Sequence, residues 1–410
     1  MIDNVLGSIP AAEVAEDPGS AVAASESRER FYLPELDTLR FFAFLCVFLF
    51  HLRFSFAWQP WMIVENLLVR RILSMGAFGV DLFFTLSAYL ITKLLLRERA
   101  TSGKIHVLYF YTRRALRIWP LYFFFLTFGS VLVYVNPVFR YTAVEPAYLL
   151  LLAIFIGNFA PSNWMWSAFV MSNLWTVSVE EQFYLFWPRA IREASIHRIR
   201  VIASGLLLIA SLARGAAYLA GVSQLWMWTC TFTHLDPFAV GILLGTIPYA
   251  TAVGLCTNRR LCFLLTAFVA WGLAAYFGIA RLPRHLGDSH LGLLLKYPFA
   301  AVGSGAFLLA TLGTSEAGSR FTTNLWLVYL GKISYGLYVY HSFAMIFTSH
   351  YLFRVFLDRF KDPPFWVGWF VYIALSFSLT VLMAAISYKC LESPFLLLKR
   401  RFTYIESRPV

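Results

Sequence analysis

The chain has 410 residues, of which 59% are hydrophobic, 18% aromatic and 14% charged, and its mean hydropathy is +0.66. Soluble domains carry about 25% charged residues, so the composition excludes an ordinary soluble domain and points to an all-α, polytopic membrane protein. The net charge of +12 sits in short basic clusters at the ends of apolar runs, as membrane orientation requires. That excludes nucleic acid as a partner and leaves the lipid bilayer.

Residues 1–33 show little apolar periodicity and read as a disordered cytoplasmic tail. They lack the basic, apolar and cleavage regions of a signal peptide, so the apolar run from Leu36 is expected to be a retained span. Arg40 and His51 bracket that run, with Cys46 between them. Eleven helical steps turn through about 1,100°, about 20° past three full turns, so the two share one face roughly 16 Å apart. Ionisable groups in a bilayer are costly and usually functional, and an imidazole can take and return a proton. The competing reading of His51 is a buried histidine satisfied by a neighbouring helix.

The second run opens on Gly76 to Ser87, with small residues that allow close helix approach. Asp81 there is either a helix-start acid or part of a proton-handling site. Arg114 and Arg117 are three apart, share a helix face and suit bidentate phosphate recognition. Anchoring at the membrane face, or contact with anionic headgroups, is the competing reading. Ser178, Glu180 and Glu181 follow in an apolar stretch. The paired acids need partners there, as holders of a catalytic proton or in a salt bridge to an arginine. His234 and Asp236 are candidates for the same outer vestibule. Ser334, Tyr338 and His341 follow i, i+4, i+7 and share one helix face. The five cysteines form no C-x-x-C pair and read as small apolar fillers. The eight histidines are dispersed, without metal-ligand spacing.

A span needs about 20 apolar residues. Ten are expected: 36–57, 73–96, 116–136, 174–191, 199–220, 234–254, 260–280, 294–314, 325–351 and 366–391. The shorter run from Ala147 to Ala160 is expected to be a re-entrant or interfacial helix. The basic stretches Lys93 to Arg117, Arg189 to Arg200, Arg259-Arg260 and Lys399 to Arg401 then share the cytoplasmic face. Both termini lie inside, and the loops 281–291 and 352–365 lie outside. This topology brings His51, Asp81, Glu180 or Glu181, and His341 to one layer in the outer half.

Together these segments resemble the acyltransferase 3 family of membrane O-acyltransferases, from about Leu36 to Phe395. The likeness is carried by Arg40 with His51 (R-x10-H), GVDLFFTLSAYLIT at 79–92 and RRALRIWPLY at 113–122. It continues in LWTVSVEEQFYLFWP at 174–188, LGKISYGLYVYHS at 330–342 and LESPF at 391–395. The resemblance implies an integral-membrane acyltransferase domain over 34–397 and a basic cytoplasmic tail over 398–410, in the inner (plasma) membrane. It implies transfer of an acyl group, commonly acetyl, from acyl-coenzyme A to a hydroxyl. The acceptor would be a cell-envelope sugar, a polysaccharide, a glycolipid or a glycosylated small molecule. Acyl-coenzyme A (acetyl-coenzyme A) enters as co-substrate, with no permanently bound cofactor and no metal expected. His51 looks like the catalytic histidine, Arg40 its motif partner, and Arg114 and Arg117 the pair suited to coenzyme A phosphates. Ala88 stands where the family often has glycine, and His234 where an arginine is common. A fused C-terminal hydrolase-like domain is not expected.

Direct transfer would use His51 as general base, its ring oriented by Glu180, Glu181 or Asp81 as in a hydrolytic triad. Arg40, Arg114, Arg117, Ser178, Tyr338 and His341 would contact the substrates. An acyl-Ser or acyl-Tyr relay, through Ser87 or Ser178 for example, is the mechanistic alternative. A proton-coupled secondary transporter of an anionic solute needs similar intramembrane groups, although the chain shows no convincing internal repeat. A non-catalytic polysaccharide assembly partner is a third reading. Dependence on coenzyme A separates the enzyme from both.

Overall fold

Backbone polar groups in hydrocarbon must be satisfied within their own segment, so a chain this apolar folds into helices. The computed structural model describes residues 31–55, 72–140, 143–279, 290–360 and 363–403, and every regular element in them is helical. Residues 1–30 and 404–410 of the expected tails lie outside the described residues. So do 56–57 of the first expected span, 281–289 of one expected outer loop and 361–362 of the other.

In chain order the main helices are α1 (Pro34–Ser55), α2 (Phe78–Ser102), α3 (Val107–Val135), α4 (Pro146–Ala153), α5 (Trp175–Ile191) and α6 (Ile196–Leu219). Then come α7 (Asp236–Gly245), α8 (Thr257–Ile279), α9 (His290–Thr311), α10 (Leu325–Lys332), α11 (Ser334–Phe347), α12 (Phe365–Ser387) and α13 (Ser393–Lys399). Local signals explain their ends. Glu35 and Asp37 sit in the first turn of α1, where the helix dipole favours acids. Gly103 terminates α2 with φ 74°, a left-handed conformation that glycine adopts without strain. The side chains of Ser195 and Asn324 cap α6 and α10.

Six helices among the described residues are long and apolar enough to cross a bilayer: Ile72–Ser102, Val107–Val135, Ile196–Leu219, Thr257–Gly278, Leu294–Thr311 and Phe365–Phe402. The chain is therefore a multi-pass membrane protein. The other four expected spans have a different form. α1 carries Glu35, Asp37, Arg40 and His51, α5 has 17 residues and α7 has 10. The expected span 325–351 is broken at Ile333, between α10 and α11. The Ala147 to Ala160 run forms only a short helix and a turn. α4 is 8 residues long, about 12 Å, and a turn follows it in which Phe155 has φ 57°. Gln182 on α5 holds that turn, donating to the Phe155 carbonyl at 2.8 Å and to Asn158 Oδ1 at 2.8 Å.

Glycines set the closest packing. A Cβ on Gly76 would lie 2.2 Å from the Cys46 carbonyl oxygen, and one on Gly79 2.4 Å from that of Ala43, so α2 crosses α1 backbone to backbone. A Cβ on Gly331 would lie 1.8 Å from the Asp37 carbonyl oxygen, which brings α10 equally close to α1. On the other side of α2, Gly241 of α7 fits against the Thr85 carbonyl oxygen and Ala88. The small residue that permits this contact is on α7, so alanine at position 88 is accommodated.

Gly331→Ala is expected to destabilise the protein by about 1–3 kcal/mol, because the added methyl must push α10 off α1. Gly205→Ala, where nothing lies within 4 Å, is the matched control. Thermal unfolding in detergent should show a lower midpoint for the first and no loss for the second.

Candidate active site

Two cavities lie along α1, one beside each end of its Arg40–His51 face. The first, of about 120 Å³, is bordered by Arg40, Arg114, Arg117, Lys399, Ser87, Glu180 and Tyr184. The second, of about 110 Å³, is bordered by His51, Phe50, Asn173 and the rings of Trp166, Phe169, Trp175 and Trp228. They share two wall residues, Val80 of α2 and Tyr338 of α11.

The first cavity is strongly basic. Arg40 pairs with Asp37 at 2.7 Å, one helical turn away. Arg113 is committed to Glu98 at 2.7 Å and to the Phe402 carbonyl, so it does not join the pair beside it. Arg114 rests over the rings of Phe110 and Tyr184, at 5.4 and 5.3 Å. Among the described residues, neither Arg114 nor Arg117 makes a hydrogen bond or ion pair to protein. A smaller cavity of about 40 Å³ reaches Arg114, Arg117 and Lys399 from a second side. Unspent guanidinium groups facing a cavity suit a phosphorylated ligand. Lys399 is a cavity residue that sequence reasoning assigned to the tail. The fold of α13 back against α3, invisible to local pattern, brings it here.

His51 and His341 form the polar centre of the other side. His341 Nδ1 lies 2.6 Å from the Tyr338 carbonyl oxygen, so it carries the proton, and Nε2 is an acceptor. That Nε2 lies 3.4 Å from His51 Nδ1, which is also 2.9 Å from the Val47 carbonyl oxygen. The Val47 carbonyl oxygen and His341 Nε2 are both acceptors, which places a proton on His51 Nδ1. Tyr338 is fixed from both ends. Its hydroxyl is 2.9 Å from Thr176 Oγ1, and its carbonyl accepts from Asn173 Nδ2 at 2.7 Å. Ser334, Tyr338 and His341 do share one face of α11, with the first two on the arginine cavity and His341 beside His51.

The expected single layer of His51, Asp81, a glutamate and His341 separates into distinct sets. Asp81 Oδ1 is bonded to His234 Nε2 at 3.0 Å, with both side chains fully buried. Asp81 is two residues from Gly79, a rotation of about 200°, so it faces away from α1, where His51 is. Glu180 accepts from Ser87 Oγ at 2.6 Å within the arginine cavity. Glu181 borders neither cavity and accepts from Trp119 Nε1 at 3.3 Å. Ser178 is fully buried and also borders neither. The ring of His341 lies beside that of His51, with centroids 4.8 Å apart. Sequence reasoning also missed Arg214, which is 1% exposed and pairs bidentately with Asp236. A lone arginine in an apolar helix was the available signal.

Asp81→Ala is expected to cost about 1.5–3 kcal/mol of stability, the value of a charge-assisted hydrogen bond left unmade. Adding His234→Leu should recover most of it. Melting of the single and double variants in detergent checks this. A stable single variant with lost turnover would instead place Asp81 in the chemistry.

Residues 33–385 match the family described as Acyltransferase domain, acyltransferase 3. The chain is 27% identical over 384 residues to O-acetyltransferase OatA of Staphylococcus aureus (strain NCTC 8325 / PS 47), covering 88% of this chain and 57% of that protein. It is 27% identical over 390 residues to the protein named "Putative peptidoglycan O-acetyltransferase YrhL" of Bacillus subtilis (strain 168), covering 88% and 55%. The chain thus spans just over half the length of these relatives. No solved structure matches it. The family match covers the arginine–histidine helix, both cavities apart from Lys399, and the α2, α5 and α11 segments that wall them: this chain belongs to the acyltransferase 3 family.

Proposed function

We propose that this chain is a membrane O-acyltransferase that moves a short acyl group, acetyl above all, from acyl-coenzyme A to a hydroxyl of a cell-envelope carbohydrate. One observation carries the reading: a cavity floored by unspent arginines meets a cavity holding a histidine, and the two share a wall. Arg114, Arg117, Arg40 and Lys399 are suited to the phosphates of coenzyme A. The thioester end then lies toward Val80 and Tyr338. The names of the relatives, O-acetyltransferase and peptidoglycan O-acetyltransferase, support acetyl as the group and a cell-wall sugar as the acceptor.

In the proposed reaction the acceptor hydroxyl gives its proton to His51 Nε2, while Nδ1–H stays bonded to the Val47 carbonyl and faces His341. The oxygen attacks the thioester carbonyl, a C–O bond forms and the C–S bond breaks. The departing thiolate takes the proton back from His51, leaving the ester and free coenzyme A. Ser87 is bonded to Glu180 on the arginine side, two helical turns from Val80, which favours direct transfer over a relay through Ser87. We further propose ten crossings with both termini cytoplasmic, in the inner membrane. The basic clusters support this orientation, with the arginine cavity opening to the coenzyme A pool and the histidine cavity to the envelope.

Membranes containing the protein are expected to move label from acetyl-coenzyme A into envelope carbohydrate. His51→Ala should lower that transfer by about 10²–10⁴-fold; equal labelling by both proteins would remove His51 as base. Arg117→Gln is expected to raise the KM for acetyl-coenzyme A about tenfold or more, the value of one charge-assisted contact, with a smaller change in kcat. Initial rates at varied donor concentration check this.

A further inference from the structure

Val80 and Tyr338 are the residues common to both cavities, and neither is free to move aside. Tyr338 is bonded through its hydroxyl to Thr176 and through its carbonyl to Asn173, and the ring of Phe83 packs edge-on against it at 5.7 Å. Val80 follows Gly79, whose backbone lies against Ala43 of α1. A β-branched residue in a helix keeps essentially one χ1 rotamer.

We propose that Val80 and Tyr338 form a rigid aperture that selects the acyl group by length. This inference rests on the acyl-coenzyme A reading above. Reacting atoms must approach to about 3–3.5 Å. The base is on the far side of the aperture and the arginines on the near side, so the thioester carbonyl has to come to the aperture itself. Everything beyond that carbonyl then occupies the histidine cavity, of about 110 Å³, together with the acceptor hydroxyl. The buried Phe169 and Trp175 line that space with the half-buried Phe50 and Trp228, and buried rings in a packed interior yield little. Each added methylene therefore competes with the acceptor for the same volume. The aperture admits an acetyl group and excludes longer chains through shape, without a polar contact to the acyl group.

The test is the donor profile of the full chain in envelope membranes from cells producing it. Coenzyme A release and label incorporation are read for acetyl-, propionyl- and butyryl-coenzyme A. Val80→Ala is expected to raise the butyryl-to-acetyl ratio of kcat/KM about tenfold or more, the usual worth of a methylene or two in an apolar pocket. Val80→Ile is expected to lower the propionyl-to-acetyl ratio below that of the wild type. The opposed variants guard against a folding defect, which lowers all donors together and leaves the ratios unchanged. Unmoved ratios in variants that keep acetyl transfer would overturn the aperture and leave the acyltransferase reading standing. Absence of transfer from every donor by the wild type would overturn both.

Discussion

The site depends on how closely α1 is gripped. Gly76 just before α2, Gly79 on α2 and Gly331 on α10 let their backbones meet the α1 carbonyls of Cys46, Ala43 and Asp37. In hydrocarbon there is no hydrophobic force between helices, so such close contacts carry the association through dispersion. They also fix the rotation of α1. With α2 and α10 tight against it, the Arg40–His51 face is left turned to the cavities. Arg40 borders one of them, and His51 borders the other next to His341.

Elsewhere many buried and half-buried charges are paired within the fold. Asp81 is matched by His234, and Arg214 by Asp236. Arg99 donates to the Ile191 and Ala194 carbonyls at the end of α5, and Arg260 to those of Ala310 and Leu312 at the end of α9. Lys93 donates to the Gly245 and Ile247 carbonyls at the end of α7. These cations satisfy carbonyls that a helix end leaves without partners. Arg114 and Arg117 have no such bond among the described residues. In an interior where polar groups are costly unless paired, that difference is what the proposed phosphate-binding role of Arg114 and Arg117 rests on.

Much of this organisation was legible locally. The helical phase of Arg40 and His51, the Ser334–Tyr338 part of the stripe on α11 and the spacing of Arg114 and Arg117 all translate directly into cavity walls, since helix geometry is set by the backbone. The partners of the acids were not legible. Depth along a helix can be read from sequence order once the topology is assumed. Which way a side chain faces depends on which neighbour its helix packs against, and Asp81 turned toward His234 for that reason. His341 as the imidazole beside His51, Lys399 as a cavity cation and the buried Arg214 belong to the same class. Each joins segments far apart in sequence.

The sequence by itself determined the class of the protein, the helical character of its apolar runs and the motif residues that carry the family likeness. Those follow from hydrophobicity, backbone hydrogen bonding and a fixed helical period. Only the tertiary structure decided that the arginines and the histidine occupy two cavities rather than one, that Val80 and Tyr338 border both, that Asp81 meets His234, and that Glu181 and Ser178 border neither cavity. The physical reason is that a helix presents every side chain somewhere around its axis, and the contacts of neighbouring helices choose which of them meet.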